Sequence, residues 1–529
     1  VIDHQTIRYL SDIPAAQAAA IGGKVALKFQ DREITYAELL RRSAAAAQAL
    51  RGLGVKAGDR VACLSRNSEL FFEVFFGVAS LRACLAPINF RLAPAEIAFI
   101  LKDSGANLLF VSDEFYAAAR HIVQDIGREV RLIALGDAPA ALSYAALRDT
   151  AMASHANIGD ALQADAPQAD DDVLQLYTSG TTGLPKGVRL TNANYACFLE
   201  VGPTIDGFKY DSDDVVLIIM PLFHVAGTNV GLGALAHGCR VVVLADFVPA
   251  VVLGMIGAER VAHMFAAPAM IQMLLQAPEA ASIDVSSLKS IAYGASPISE
   301  AVLVAAQARF GCDFVQFYGM TETTGAGSFL SPAAHTPDKL RSCGLAWPGL
   351  EVKVCGDAGP TGEEAGVGEV GQIAIRGAAV MKGYWNRPEA TAETLIDGWL
   401  LTGDAGYRDA AGFLYMHDRV KDMIVTGGEN VYPAEVENAI FGCPGVADVA
   451  VIGVPSDRWG EEVKAIIVPE PGRAPDPAEI VAWARERIAG YKVPKSVDFA
   501  DALPRNASGK VLRRELRAKF WQGRDRAIA

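Results

Sequence analysis

Short apolar runs alternate with helical stripes along the first half of the chain. In "ITYAELLRRSAAAAQALRGLG" (34–54) leucines and alanines recur at helical spacing; Thr35 and Glu38 make a capping-box pattern at its start, and Gly52 and Gly54 stop it. "DRVACLS", "ANLLFVS", "VRLIAL" and "CRVVVLA" are short, continuous and β-branched, and several precede helical patterns. This arrangement predicts α/β layers around a mainly parallel, covered sheet. Val215 to Cys239 contains no Asp, Glu, Lys or Arg and is long enough to cross a bilayer of about 30 Å. Pro221, His224, Asn229 and several glycines interrupt it, so it is expected as a buried strand "VVLIIM", a loop "PLFH" and a Gly/Ala-rich helix, not a transmembrane segment. Late in the chain "VADVAVIGVP" and "EEVKAIIVPE" read as strands, and Asp476, Pro477 and Glu479 open a helix.

A chain of 529 residues exceeds the size at which one core keeps growing. The polar connection "YMHDRVKDMIVTGGENVYP" places a boundary there, giving residues 1–417 and a smaller α+β domain over 418–529. A formal net charge of -13 argues against nucleic-acid binding, which needs a broad basic footprint, so a bound anion requires a local site. Eight dispersed cysteines form no CxxC pair and no zinc spacing, and the first residues lack the basic and apolar regions of a signal peptide; a cytoplasmic location fits both.

One loop is built for such a site. "LYTSGTTGLPKGV" (176–188) sits between two apolar stretches that read as strands. Its glycines let backbone N–H groups converge, its Ser and Thr hydroxyls add donors, and Lys186 adds a mobile positive charge, a combination suited to polyphosphate. It is not the Walker loop: Gly23-Lys24 and Gly509-Lys510 are each followed by valine, not Ser or Thr. On residue type alone, a Gly/Thr run is more often a surface hairpin, His224 a core histidine, Tyr318 plain core, Asp404 a turn residue and Lys510 a solvated surface lysine.

Six motifs occur in order: "YTSGTTGLPKG", "PLFHVAG", "YGMTET", "GWLLTGD", "DRVKDMIVTGGENVYPAEVE" and "PRNASGKVLRREL". Together, from about residue 30 to 520, they resemble the AMP-forming adenylating superfamily of acyl-CoA synthetases, luciferases and peptide-synthetase adenylation domains. The resemblance implies a large N-terminal domain of two α/β subdomains and a distorted β-barrel, followed by a small mobile C-terminal α+β domain. It also implies a two-step reaction, in which a carboxylate attacks the α-phosphate of MgATP to give an acyl-adenylate and pyrophosphate, and a thiol, that of CoA, then takes the acyl group.

By the same resemblance Thr178, Ser179, Gly180, Thr181, Thr182, Gly183 and Lys186 hold the phosphates, Glu322 binds Mg2+ with help from Thr178, and Lys510 bridges carboxylate and α-phosphate. Gly294, Ala295, Ser296 and Gln316 to Gly319 form the adenine site with Tyr318 as its stacking face, Met320 and Thr321 continue the ATP site, and Asp404 and Arg419 contact the ribose. His224 is the gate between acyl pocket and pantetheine channel; Val225, Gly227, Thr228, Ala267, Met270 and Gly319 complete the pocket. Lys421 is the hinge, and Gly427 and Gly428 line the pantetheine channel. Lys492, Lys495, Arg513, Arg514, Arg517, Lys519, Arg524 and Arg526 either attract the CoA phosphates or form a solvated cationic face.

An amino-acid substrate would need a buried carboxylate for its ammonium, and no acid lies between Val215 and Ala245. A hydrophobic acid is expected, a medium- to long-chain fatty acid before an aryl or alicyclic one, although Thr228 stands where some long-chain members place a tryptophan gate. A carrier-protein thiol as acceptor and a non-catalytic nucleotide-binding regulator are the alternatives, and a homodimer is allowed.

Overall fold

The structure is a computed structural model that describes residues 6–138, 142–154, 166–178, 185–356, 359–419, 422–426, 429–456, 458–505 and 510–522. Among these residues the strands form four sheets. The largest has nine, and six neighbours in it run parallel: Asp313–Gly319, Ser290–Gly294, His263–Ala266, Val215–Ile218, Arg240–Val243 and Val25–Phe29. His263–Ala266 and Ser290–Gly294 are buried at every position, the signature of a sheet covered on both faces. A seven-stranded sheet contains the parallel strands Asp172–Thr178, Cys84–Pro87, Arg60–Leu64, Leu108–Val111 and Arg131–Ala134, and ends on antiparallel Lys186–Thr191 and Gly383–Tyr384.

One core joins these two sheets, with Phe72, Phe75 and Phe76 of helix Leu70–Ser80 among its largest residues. The alanine run 44–47 explains how that helix packs: a Cβ on Gly77 would lie 2.7 Å from the Ala46 Cβ, so only small residues allow the crossing of Leu70–Ser80 with Tyr36–Gly52. At the start of Tyr36–Gly52 half of the expected capping box forms. Thr35 accepts from the Glu38 N–H at 3.2 Å, but the Glu38 carboxylate turns forward to Arg42, where an ion pair outcompetes the return to the cap.

A third, antiparallel sheet includes Glu351–Cys355, Gly371–Arg376, Trp399–Arg408 and Leu414–Arg419, and is the expected distorted barrel in the form of a half-barrel. Leu414–Arg419 pairs with Trp399–Arg408, with Arg419 opposite Asp404, and so runs across position 417. The small C-terminal domain has its own sheet, built around the hairpin Val446–Ser456 and Gly460–Pro469, and its own core, including Ile424, Val436, Ile440, Val451 and Ile480. Asp476 caps its helix Pro477–Arg485, accepting from the Ala478 N–H at 2.9 Å. The uncharged stretch 215–239 is the buried strand Val215–Ile218 and the helix Val225–Ala236; among the described residues no helix is long and apolar enough to cross a membrane.

Candidate active site

Parallel strands end at a common edge, and the loops leaving that edge form a crevice. Four neighbouring strands of the nine-stranded sheet deliver candidate residues to it, among them those of two of the six motifs, "PLFHVAG" and "YGMTET". Val215–Ile218 leads to "PLFH" and His224, His263–Ala266 to Ala267 and Met270, Ser290–Gly294 to Ala295 and Ser296, and Asp313–Gly319 to Met320, Thr321 and Glu322. The strand ends are packed tightly. A Cβ on Gly294 would lie 2.3 Å from the Phe317 carbonyl oxygen, and one on Gly319 2.3 Å from that of Gly325. Ala295 takes a φ of +68°, a left-handed conformation that is strained for a residue bearing a Cβ and that turns the chain sharply off the sheet.

The second sheet meets this crevice through Thr178, the last residue of Asp172–Thr178. Its hydroxyl donates to Glu322 Oε1 at 3.3 Å, and the Tyr384 hydroxyl donates to the same oxygen at 3.0 Å. Glu322 is buried, so these donors replace the water a carboxylate otherwise holds. Burial beside Glu322 pushes the Tyr384 phenol far above its ordinary range, which keeps it a proton donor. Lys186 opposes Thr178 across the hairpin and sets its ammonium 4.9 Å from the centre of the Tyr384 ring. One tyrosine therefore touches both the Glu322 carboxylate and the hairpin's Lys186. Sequence reasoning missed it; its signal was the aromatic pair Tyr384-Trp385 after Gly383.

A carboxylate beside a hydroxyl is a hard-oxygen donor set of the kind Mg2+ takes, and among the described residues no group of three or more His, Cys, Asp or Glu side chains could cage a metal. That combination fits an ion that keeps its waters and binds substrate phosphates.

Asp404 stands on Trp399–Arg408 of the half-barrel, 9% exposed, and accepts from the Tyr318 hydroxyl at 2.9 Å. This bond ties the half-barrel to the nine-stranded sheet. Tyr318 is itself only 8% exposed, and desolvation with the nearby carboxylate raises its phenol well above the ordinary range. Asp404 and Ser296 line a cavity of about 160 Å3 together with Lys510 of the C-terminal domain. A β-bridge between Arg505 and Val511 fixes the backbone on either side of Lys510.

His224 caps helix Val225–Ala236, its Nδ1 accepting from the Ala226 N–H at 3.4 Å. This places the proton of a neutral ring on Nε2, and desolvation lowers the pKa from 6.5 to about 4. Gly227 is required where it stands, since a Cβ there would lie 2.2 Å from the Pro221 carbonyl oxygen. Thr228 is fully buried and donates its hydroxyl to the carbonyls of His224 and Val225, at 3.2 and 3.1 Å, so it turns its polar atom into its own helix. Val225 and Ala267 are buried, and Met270 is half-buried, packed both against the core that joins the two sheets and against a second one that includes Leu217, Ile271 and Tyr293. Gln316 is half-buried in its strand.

Ser179, Gly180, Thr181, Thr182, Gly183, Lys421, Gly427 and Gly428 lie outside the described residues, as do Arg524 and Arg526; Arg419 is placed by its backbone. Much of the remaining basic cluster is paired within the C-terminal domain: Arg513 with Glu437 at 2.7 Å, Arg517 with Asp422 at 2.8 Å, Lys492 with Glu435 at 2.7 Å and Lys519 with Asp498 at 3.6 Å.

Residues 15–385 match the AMP-binding enzyme family, and residues 435–510 match the AMP-binding enzyme C-terminal domain. Feruloyl-CoA synthase of an Amycolatopsis species is 41% identical over 97% of this chain and 99% of its own. Fatty acid--[acyl-carrier-protein] ligase ScoC of Streptomyces coeruleorubidus is 39% identical over 93% of this chain and 92% of its own. Among solved structures, the anthranilate CoA ligase AuaEII in complex with anthranoyl-AMP superposes with a TM-score of 0.88 at 28% identity, covering 97% of each chain. The motif order, the crevice and these likenesses converge: the chain belongs to the AMP-binding, adenylate-forming enzyme family and is an acid–thiol ligase of the AMP-forming class, with ATP and a carboxylic acid as substrates.

Proposed function

We propose that the protein converts a hydrophobic carboxylic acid, a medium- to long-chain fatty acid before others, into its acyl-adenylate and then into its CoA thioester, releasing pyrophosphate and AMP. The observation that supports this reading is the shared cavity of about 160 Å3, lined by Asp404 and Ser296 from one domain and by Lys510 from the other.

In the first step a carboxylate oxygen attacks the α-phosphorus and the bond to the bridging oxygen of pyrophosphate breaks. Two anions must meet, and charge accumulates on the phosphorus oxygens, so fixed cations and donors are the remedy and no general base is needed. Lys510 serves as the cation between carboxylate and α-phosphate, Lys186 and the hairpin 178–187 hold the β- and γ-phosphates, and Asp404 with Arg419 holds the ribose hydroxyls. Glu322 and Thr178 would hold Mg2+, which offsets charge on the departing pyrophosphate. In the second step a thiol attacks the acyl carbon and AMP leaves. Lys510 blocks that approach, so the domain beginning near 418 rotates about Lys421 and brings Gly427 and Gly428 to the pantetheine path.

The acid end is apolar. Val225, Ala267 and Met270 carry no polar side-chain group that could pair a charge, and the Thr228 hydroxyl is engaged by its own helix. An aryl acid is the second reading, favoured by the likeness to feruloyl-CoA synthase. AMP release measured over saturated acids of graded length and over aryl acids, with and without CoA, tests both. CoA-dependent AMP formation that peaks with an alkyl acid is expected. A peak with aryl acids would replace the first reading by the second, and no AMP with any acid would remove both.

A further inference from the structure

We infer that Asn67 is a positioning residue for the acid and thiol end of the reaction, acting through the loop that carries His224. The inference rests on the reading of that loop as the border of the acyl pocket. Asn67 belongs to the other sheet, in the connection between strand Arg60–Leu64 and helix Leu70–Ser80, and is 5% exposed. Its Nδ2 donates to the Met220 carbonyl at 2.9 Å and the Leu244 carbonyl at 3.2 Å, and its Oδ1 accepts from the Leu222 N–H at 2.8 Å. Two carbonyls and one N–H fix which end of the amide is which.

These partners are the segments leaving two adjacent parallel strands, Val215–Ile218 and Arg240–Val243, at the level where strand-to-strand pairing has ended. Asn67 supplies there the hydrogen bonds a further strand residue would supply. Pro221, between two of its partners, has no N–H of its own to anchor the loop. Position is then passed to the site by short contacts. The His224 N–H donates to the Pro221 carbonyl at 3.1 Å, and Gly227 packs against that same carbonyl. The neighbouring Phe223 meets Phe90 edge-on at 5.5 Å, a second tie between the loop and the other sheet. A shift at Met220 to Leu222 therefore moves the His224 ring and the first turn of its helix together.

Asn67→Asp keeps the acceptor for Leu222 but sets a carboxylate against two carbonyls; Asn67→Ala leaves all three backbone groups without that partner. Both are compared with His224→Ala and with the double variant Asn67→Asp/His224→Ala in the full chain, using an acid the wild type turns over. Each single Asn67 variant is expected to raise KM for the acid and slow thioester formation from pre-formed acyl-adenylate by at least about tenfold, since each loses two or more buried hydrogen bonds, while KM for ATP changes by less than about twofold. In the His224→Ala background Asn67→Asp is expected to add less than about threefold, because the two act through one element. Equal losses in every parameter, full additivity in the double variant, or unchanged acid kinetics in Asn67→Asp would overturn the inference. If His224→Ala itself leaves acid KM and thioester formation unchanged, the reading of the loop fails first and the inference falls with it.

Discussion

Tyr384→Phe removes one oxygen atom and leaves the ring. That oxygen lies 3.0 Å from Glu322 Oε1, while Thr178, the other donor to the same atom, is at 3.3 Å, so the shorter of the two contacts is lost. A hydrogen bond to a charged group contributes about 1.5–3 kcal/mol, and the remaining phenyl ring still lies beneath Lys186. If Glu322 holds Mg2+, a carboxylate free to swing binds it less well. Taking the lower part of that range as binding energy, the half-saturating free Mg2+ in ATP–pyrophosphate exchange rises about tenfold, at roughly 1.4 kcal/mol per decade. Tyr384→Leu loses the cation–π contact as well, worth a further ~0.5–1 kcal/mol, and is expected to raise KM for ATP in addition. Exchange is measured against free Mg2+ at fixed ATP, alongside thermal unfolding without nucleotide. A lowered Tm with an unchanged Mg2+ profile would refute the reasoning, since it would make Tyr384 a packing residue and take Glu322 out of metal binding.

Other outcomes follow from the same site. Lys510→Ala is expected to slow pyrophosphate release by about two to three orders of magnitude, the scale for one lost transition-state donor, and to spare thioester formation from supplied acyl-adenylate; near-normal pyrophosphate release would end its assignment. Tyr318→Phe leaves Asp404 without the donor at 2.9 Å and is expected to weaken ATP binding by about tenfold in calorimetry, with unchanged affinity pointing away from Asp404 as the ribose ligand. His224 titrates near 6.5 unfolded and about 4 folded, so stability tied to it is complete above pH 6.5 and is lost as the pH falls toward 4. His224→Asn keeps an acceptor for the helix cap, and urea unfolding is expected to show less loss of stability over that window than in the wild type; parallel losses would show that other groups dominate.

Elements with strong local signals were legible in the sequence. The apolar runs 215–220 and 239–245 contain the parallel strands Val215–Ile218 and Arg240–Val243, and Asp476-Pro477 opens a helix, because burial on both faces and cap chemistry leave marks in a few adjacent residues. The motif residues Ser296, Glu322 and Asp404 sit at or beside the crevice for the same reason: short motifs at strand ends carry their own geometry. What was not legible depends on partners far apart in the chain. Glu38 completes no box because Arg42 competes for it, Tyr384 reaches Glu322 across 62 positions, and Asn67 reaches Leu222 across 155. The basic C-terminal run read either as a lure for the CoA phosphates or as a solvated cationic face, and acids scattered from Asp422 to Asp498 pair with much of it.

The strand order of the large sheet carries an evolutionary consequence. In the proposed reading, the loops facing the acid leave Val215–Ile218 and His263–Ala266, whereas those around the nucleotide leave Ser290–Gly294, Asp313–Gly319 and the hairpin of the other sheet. Mutation can thus retune what the enzyme accepts on one pair of loops without disturbing the machinery that spends ATP on the others. Proteins named for ferulate and for fatty acids can accordingly stand at nearly the same distance from this chain, and ancestry alone is a poor guide to diet.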